Sequence, residues 1–334
     1  MGIEKEKLFS IIRQKLPNNV SFIEEIADVL DVSYDASYRR LNGKTALSFE
    51  EALKLAKNYK ISLNNLYGLD EEETISVLKQ RGSIGPKEKL DDFFKLVTKS
   101  VDIFSKFKLP EFLYAAKDVP IYYLPHDTLY TKFRLYAFMN IHTNREFKQS
   151  QTTLRKFNPS SNLVYDSICF KNAFRGLKGT EIWNDTTIDS SLYQIYYFYE
   201  IKMITKDEAV QLCKELKGVI EKIEQQAANG IWNGNHSFRY KMYYNKLISL
   251  NNTVLFKSQK IKTLLIPYTS LSYLRIDDEK TCEEIEEHFD KKLKFSKRIS
   301  GDAEVERKLF FTSMYEKIEQ LCKQIEVKSE ISFM

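Results

Sequence analysis

Arg39, Arg40 and Lys44 close the segment SYDASYRRLNGK, residues 33–44. Guanidinium and ammonium groups at this spacing suit recognition better than bond-making. An arginine donates two parallel hydrogen bonds to the N7 and O6 edge of guanine, and a lysine neutralises a phosphate. The same segment begins with Ser33, Tyr34 and Asp35, a polar start suited to the first turn of a helix. Ser33 is a natural N-cap, and a helix N-terminus beside a phosphate is electrostatically favourable. Tyr34 reads equally as a packing residue or as a phosphate or thymine-methyl contact.

Side chains able to make or break bonds are scattered by comparison. Glu284, Glu287 and His288 fall close together, but a hydrolytic metal site wants two histidines on one helical face and a further ligand. The four histidines (126, 142, 236 and 288) are isolated from one another. No G-x-x-x-x-G-K or G-x-G-x-x-G phosphate loop occurs, and no local nucleophile signature stands out. The expectation is therefore no enzyme, no cofactor and no metal. Cys169, Cys213, Cys282 and Cys322 lack any C-x-x-C spacing and read as reduced, mostly buried thiols of a cytoplasmic protein. No basic-then-apolar leader and no run of 18 apolar residues is present, so neither secretion nor a membrane partner is expected.

The basic segment needs a scaffold, and the residues around it supply one. Residues 3–16 carry an apolar stripe that Pro17 stops. Ser21 with Glu24, and Ser48 with Glu51, have the S-x-x-E spacing of a capping box, each ahead of an apolar run. Between them lie Ala27, small enough for a helix crossing, a turn at Asp31-Val32-Ser33, and a helix ending at Asn42-Gly43. Tyr38 and Leu41 are expected on its apolar underside, with Asp35, Arg39 and Arg40 facing out. A short final turn is expected over 62–66. This is the layout of a helix-turn-helix reader of double-stranded DNA.

On these residues (Ile26-Ala27, Val32-Ser33, Asn42-Gly43-Lys44 and the apolar helix 48–56) the segment resembles the Cro/CI-type helix-turn-helix family. The resemblance covers about 50 residues and implies DNA contacts from Ser33, Tyr34, Asp35, Arg39, Arg40 and Lys44. Two departures are visible. The glycine usual at the turn is Asp31, and the apolar anchors fall one residue late, at Tyr38 and Leu41. Either Arg39 or Arg40 is then the base-contacting residue. With VSYDASYRRLNGKT, AAKDVP and ISGDAEVER, the whole chain also resembles uncharacterised bacterial helix-turn-helix regulators.

Composition sets the frame. At 334 residues, with 43% hydrophobic and 29% charged side chains, the chain supports two or three domains with real cores. Net charge is +5, yet residues 1–70 hold ten basic and ten acidic side chains. A neutral reader binds non-specific DNA weakly and gains from dimerisation. The expected organisation is a helix-turn-helix domain over 1–70, a linker over 71–86, a helical domain over 87–230 and an α+β dimerisation or sensing domain over 231–334. Helices are expected over 87–107, 109–117, 127–142 (with Asp127 as cap), 187–202, 205–228, 277–294 and 303–325. Two or three antiparallel strands with at least one hairpin are expected within 238–268. The fold class expected is mainly α with a smaller α+β portion. Trp183 and Trp232 read as core, with a ligand pocket as the alternative. The function expected is that of a homodimeric transcriptional regulator with an unknown effector. The alternative is a protein-interaction module, such as an antitoxin or phage-defence adaptor, built on the same bundle.

Overall fold

The computed structural model describes residues 3–17, 20–61, 75, 77–80, 90–124, 126–142, 153–232, 235–269 and 272–331. The expected turn at 62–66 lies outside them. Four helices open the chain: α1 (Ile3–Lys15), α2 (Phe22–Leu30), α3 (Tyr34–Leu41) and α4 (Phe49–Tyr59). Leu8, Phe9 and Ile12 of α1 meet Ile26, Leu30 and Leu55 in one small core. The Ser48–Glu51 capping box forms in both directions, at 3.1 Å and 3.0 Å. The box expected at Ser21 and Glu24 does not: Ser21 sits at the N-cap without a side-chain bond. Both side chains are exposed, where water satisfies the same groups.

The rest of the described chain is built around a mixed nine-stranded sheet. Its strands are β1 (Leu78–Gln80), β2 (Glu111–Ala115), β3 (Lys178–Trp183), β4 (Ile231–Trp232), β5 (Asn235–Tyr244), β6 (Val254–Lys257), β7 (Lys262–Thr269), β8 (Ser272–Ile276) and β9 (Lys297–Arg298). They lie in the order β1-β8-β7-β6-β2-β3-β5-β4, and β9 pairs with β5. β2, β3 and β5 run parallel, while β6, β7 and β8 form an antiparallel meander joined to β2. The helices that cover the sheet are α5 (Leu90–Ser105), α6 (Leu129–His142), α7 (Ser161–Phe174), α8 (Asp189–Glu200), α9 (Lys206–Asn229), α10 (Glu279–Lys294) and α11 (Glu304–Ile331). The class is mainly α with an α+β portion.

Side chains alternate between the two faces of a strand, and here both faces are buried. Phe112, Tyr114, Val254 and Phe256 point into the large core shared with α5, α6, α7, α8, α9 and α11. Leu113, Ala115, Ile182 and Leu255 point the other way, onto Cys282 and Phe289 of α10. This two-sided burial explains the main correction to the expected elements. Within the helix expected over 109–117, Glu111–Ala115 form strand β2, because a short apolar run buried on both faces carries no alternation to betray it. Residues on both sides of position 230 share this sheet, so the α+β unit begins before residue 231. β1 falls inside the expected linker and pairs with β8. The expected hairpin is formed by β6 and β7, which pair antiparallel across residues 258–261, while β5 pairs with β3 in parallel. Thr128, and not Asp127, caps α6 through the Thr131 amide at 3.2 Å.

β3 places one carboxylate in the large core. Glu181 is fully buried, and its oxygens accept from Tyr122 at 2.9 Å, Tyr123 at 2.7 Å and Trp183 Nε1 at 2.6 Å. Burial pushes its carboxyl up to about 7, and the three donors oppose the shift. Gly179, on the same strand, allows the close packing: a Cβ there would stand 2.9 Å from Trp232 Cζ2 and 3.0 Å from Phe112 Cζ. Trp183 and Trp232 are thus core residues.

A raised acid favours the folded state below its unfolded value, and that benefit is lost as pH rises through the folded one. Between pH 4.5 and about 7, Glu181 should therefore cost the fold progressively, reaching about 3 kcal/mol. In urea unfolding, the stability of the native chain relative to Glu181→Gln should fall by this amount between pH 4.5 and 8. A pH-independent difference would refute the assignment.

Candidate nucleic-acid interface

The site begins with a turn that an L-residue adopts at some cost. α2 ends at Asp31, whose φ of 60° is left-handed, and the Val32 amide donates back to Ala27 O at 3.0 Å. This is the conformation that glycine takes most easily, so Asp31 supplies with its short polar side chain what the resemblance expected from glycine. Ser33 then caps α3, accepting from the Ala36 amide at 3.3 Å as the spacing predicts.

The phase of α3 follows from Ser37. Its side chain is wholly buried and donates to Ile23 O at 2.9 Å, which ties α3 to the start of α2. Leu41, one turn on, is half-buried against the small core. With positions 37 and 41 inward, Tyr34, Asp35, Tyr38 and Arg39 face outward. Tyr38 is 44% exposed and so is not the underside residue expected from sequence; Tyr34 is 51% exposed. Sequence reasoning missed Tyr38 because the buried residue is a serine, which breaks the apolar stripe. Counting from the cap at Ser33 would have given the phase.

The two arginines have different surroundings. Arg40 donates through Nε and Nη2 to Glu51 Oε1, at 2.9 Å and 2.7 Å, and through Nη1 to Ala36 O at 3.0 Å. The Arg40 and Glu51 side chains are only 17% and 19% exposed. Hydrogen bonding to Arg40 holds the Glu51 carboxyl below the usual carboxylate range, and Glu51 raises the Arg40 guanidinium in return. The expectation that Arg40 stands free beside Arg39 is therefore corrected: its fork is occupied by a carboxylate. Glu51 Oε2 meanwhile accepts from the Ser48 amide, so one carboxylate closes the α4 cap and clamps α3 to α4. Arg39 is exposed. Lys44 follows Gly43 (φ 75°), and its Nζ lies 6.0 Å from the centre of the Tyr38 ring. Ser33, Tyr34, Asp35, Tyr38, Arg39 and Lys44 are thus all exposed around α3.

A short, capped helix with an outward arginine, set by a tight turn on a small bundle, is helix-turn-helix geometry. Residues 15–85 match the BetR domain. This is a helix-turn-helix type of DNA-binding domain family, and it covers about a fifth of the chain. The BetR match contains α2, α3 and α4 whole and reaches past β1. No curated protein and no solved structure matches the chain.

Among the described residues, no group of three or more histidine, cysteine or acidic side chains could hold a metal. Glu284, Glu287 and His288 are exposed on α10. The four cysteines are free thiols, and burial pushes Cys213 and Cys282 up to about 12. No helix of the described residues is long and apolar enough to cross a membrane.

Two substitutions test this local account by hydrogen exchange of the α2–α4 amides. Asp31→Gly relieves a left-handed L-residue and should stabilise the bundle by about 0.5–1 kcal/mol. Glu51→Ala removes a cap and leaves Arg40 unpaired, and should destabilise it by about 1–3 kcal/mol. Unchanged protection in both would contradict the geometry described.

Proposed function

We propose that the chain is a sequence-specific, double-stranded DNA-binding transcriptional regulator that uses α3 in the Cro/CI manner. The observation that carries this reading is the division of labour between neighbours: Arg40 is locked to Glu51 while Arg39 points outward. A recognition helix needs both a rigid seat and a free donor, and the pair of arginines provides one of each. Arg39 is the base-reading residue in this proposal. Lys44 and the α3 N-terminus at Ser33 contact phosphates. Tyr34 and Tyr38 offer flat apolar surface to the sugar backbone or to thymine methyls.

The balance of ten basic and ten acidic side chains over residues 1–70 favours a homodimer. Two weak readers on one palindrome bind far more tightly than one. In this reading residues 1–70 read DNA and the sheet-based remainder dimerises or senses. No catalytic role is assigned to either part.

The full chain should select a palindromic site from a random DNA pool. Against that site, Arg39→Ala should lower affinity by about tenfold to a hundredfold and relax preference at one base pair per half-site. Lys44→Ala should weaken binding evenly across sequences and reduce the salt slope by about one per subunit. Gel-shift titration at several salt concentrations reads both. Unchanged affinity of Arg39→Ala would overturn the proposed reading of DNA.

A further inference from the structure

The large core is not filled between the sheet and helices α5–α8. A cavity of about 710 Å³ opens there, walled by Phe112, Tyr122, Phe170 and Phe174 among others. Its size falls in the usual range for a small-molecule site. Arg134 of α6, only 4% exposed, places a buried cation in this wall.

The guanidinium of Arg134 is held in place but not neutralised. Nη1 donates to Ser191 Oγ at 2.8 Å, and the group lies 5.0 Å from the centre of the Phe138 ring. Ser191 Oγ is also 3.1 Å from the Tyr130 hydroxyl, so its position is fixed from two sides. Nε is buried without a hydrogen-bond partner, and no carboxylate among the described residues pairs with this arginine. The edge left over is the Nε–Nη2 side, the two-donor edge that a carboxylate accepts side-on. Gln194 lines the same cavity from α8, and its Oε1 is likewise buried without a partner. A desolvated cation with no counter-charge is expensive to maintain, and it persists where an anion is meant to arrive.

We propose that this cavity binds a small organic carboxylate with an apolar body, its carboxylate received by the Nε–Nη2 edge of Arg134. The charge and the walls select the class. Lys117 at the cavity adds a second cation, and Asp118, held by Asn252 at 3.0 Å, offsets one of the two. A net charge of one matches a monoanion, and the aromatic rings match a hydrocarbon or ring body rather than a sugar phosphate. Calling this ligand an effector rests on the regulator reading; the site itself does not.

Calorimetry on the full chain without DNA separates the two. The probes are decanoate, 4-phenylbutyrate and indole-3-acetate, each with its primary amide. At least one acid should bind with Kd below about 1 mM and at least about tenfold more tightly than its amide. Arg134→Met should abolish that preference while the amide binds as before. The ligand-free variant should unfold at the same or a higher temperature, since an unpaired buried charge is removed. Arg134→Lys keeps the charge but not the two-donor edge, and should lose most of the preference even if the methionine variant fails to fold. No binding by any acid, equal binding of acid and amide, or a preference unchanged in both variants would each overturn the proposal. Gel shifts on the wild-type chain, run in parallel, report on DNA reading independently.

Discussion

The parallel trio β2, β3 and β5 lies at the interior of the sheet and must be dry on both sides. That constraint orders most of the fold. It requires helices on both faces, which α10 supplies on one and six other helices on the other. It requires a glycine at position 179, where the rings of Trp232 and Phe112 come too close for a side chain. It also requires that anything polar pointing inward be satisfied locally. Glu181 meets this condition with three donors from its own neighbourhood. Arg134 meets it only on one side: Nη1 reaches Ser191 while Nε has no partner.

Most helical elements were legible because their signals are local; α7 (Ser161–Phe174) was not among those expected. The Ser48–Glu51 box, the left-handed turn at Gly43 and the amphipathic runs that predict helices over 87–107 and 205–228 appear where the residue pattern puts them. The sheet was only partly legible because its logic is long-range. β2 is an unbroken apolar run, and β3 (KGTEIW) contains a glycine and a carboxylate, so neither shows strand alternation. Their pairing, across more than 60 residues, cannot be read from either one alone. At α3 the residue types were legible and the phase was not, because Ser37 occupies the buried position where an apolar residue was expected. Likewise, Arg39 and Arg40 are alike in sequence and become distinct only through Glu51, eleven positions further on.

The bundle is nearly neutral, and part of its charge is taken up by contacts between its own helices. Charge is sorted by pairing more than by number. Glu51 cancels Arg40, Glu25 accepts from Tyr59 at 2.9 Å, and Lys54 donates to Leu30 O at 3.2 Å. These contacts spend charged side chains on holding helices together, while Arg39 and Lys44 stay exposed. Preorganisation of this kind lowers the entropy lost on binding, which matters most when the electrostatic attraction is small.

Lys15, at the end of α1, donates to Tyr59 O at 3.2 Å and lies 3.7 Å from Asp277 Oδ2, just beyond β8. One ammonium group thus joins the last turn of the bundle to the edge of the sheet. Both side chains are about three-quarters covered, so dissolved ions screen this joint far less than they screen open contacts to a polyanion. In a protein of this build, rising ionic strength weakens the exposed charges well before it loosens the joint between bundle and sheet.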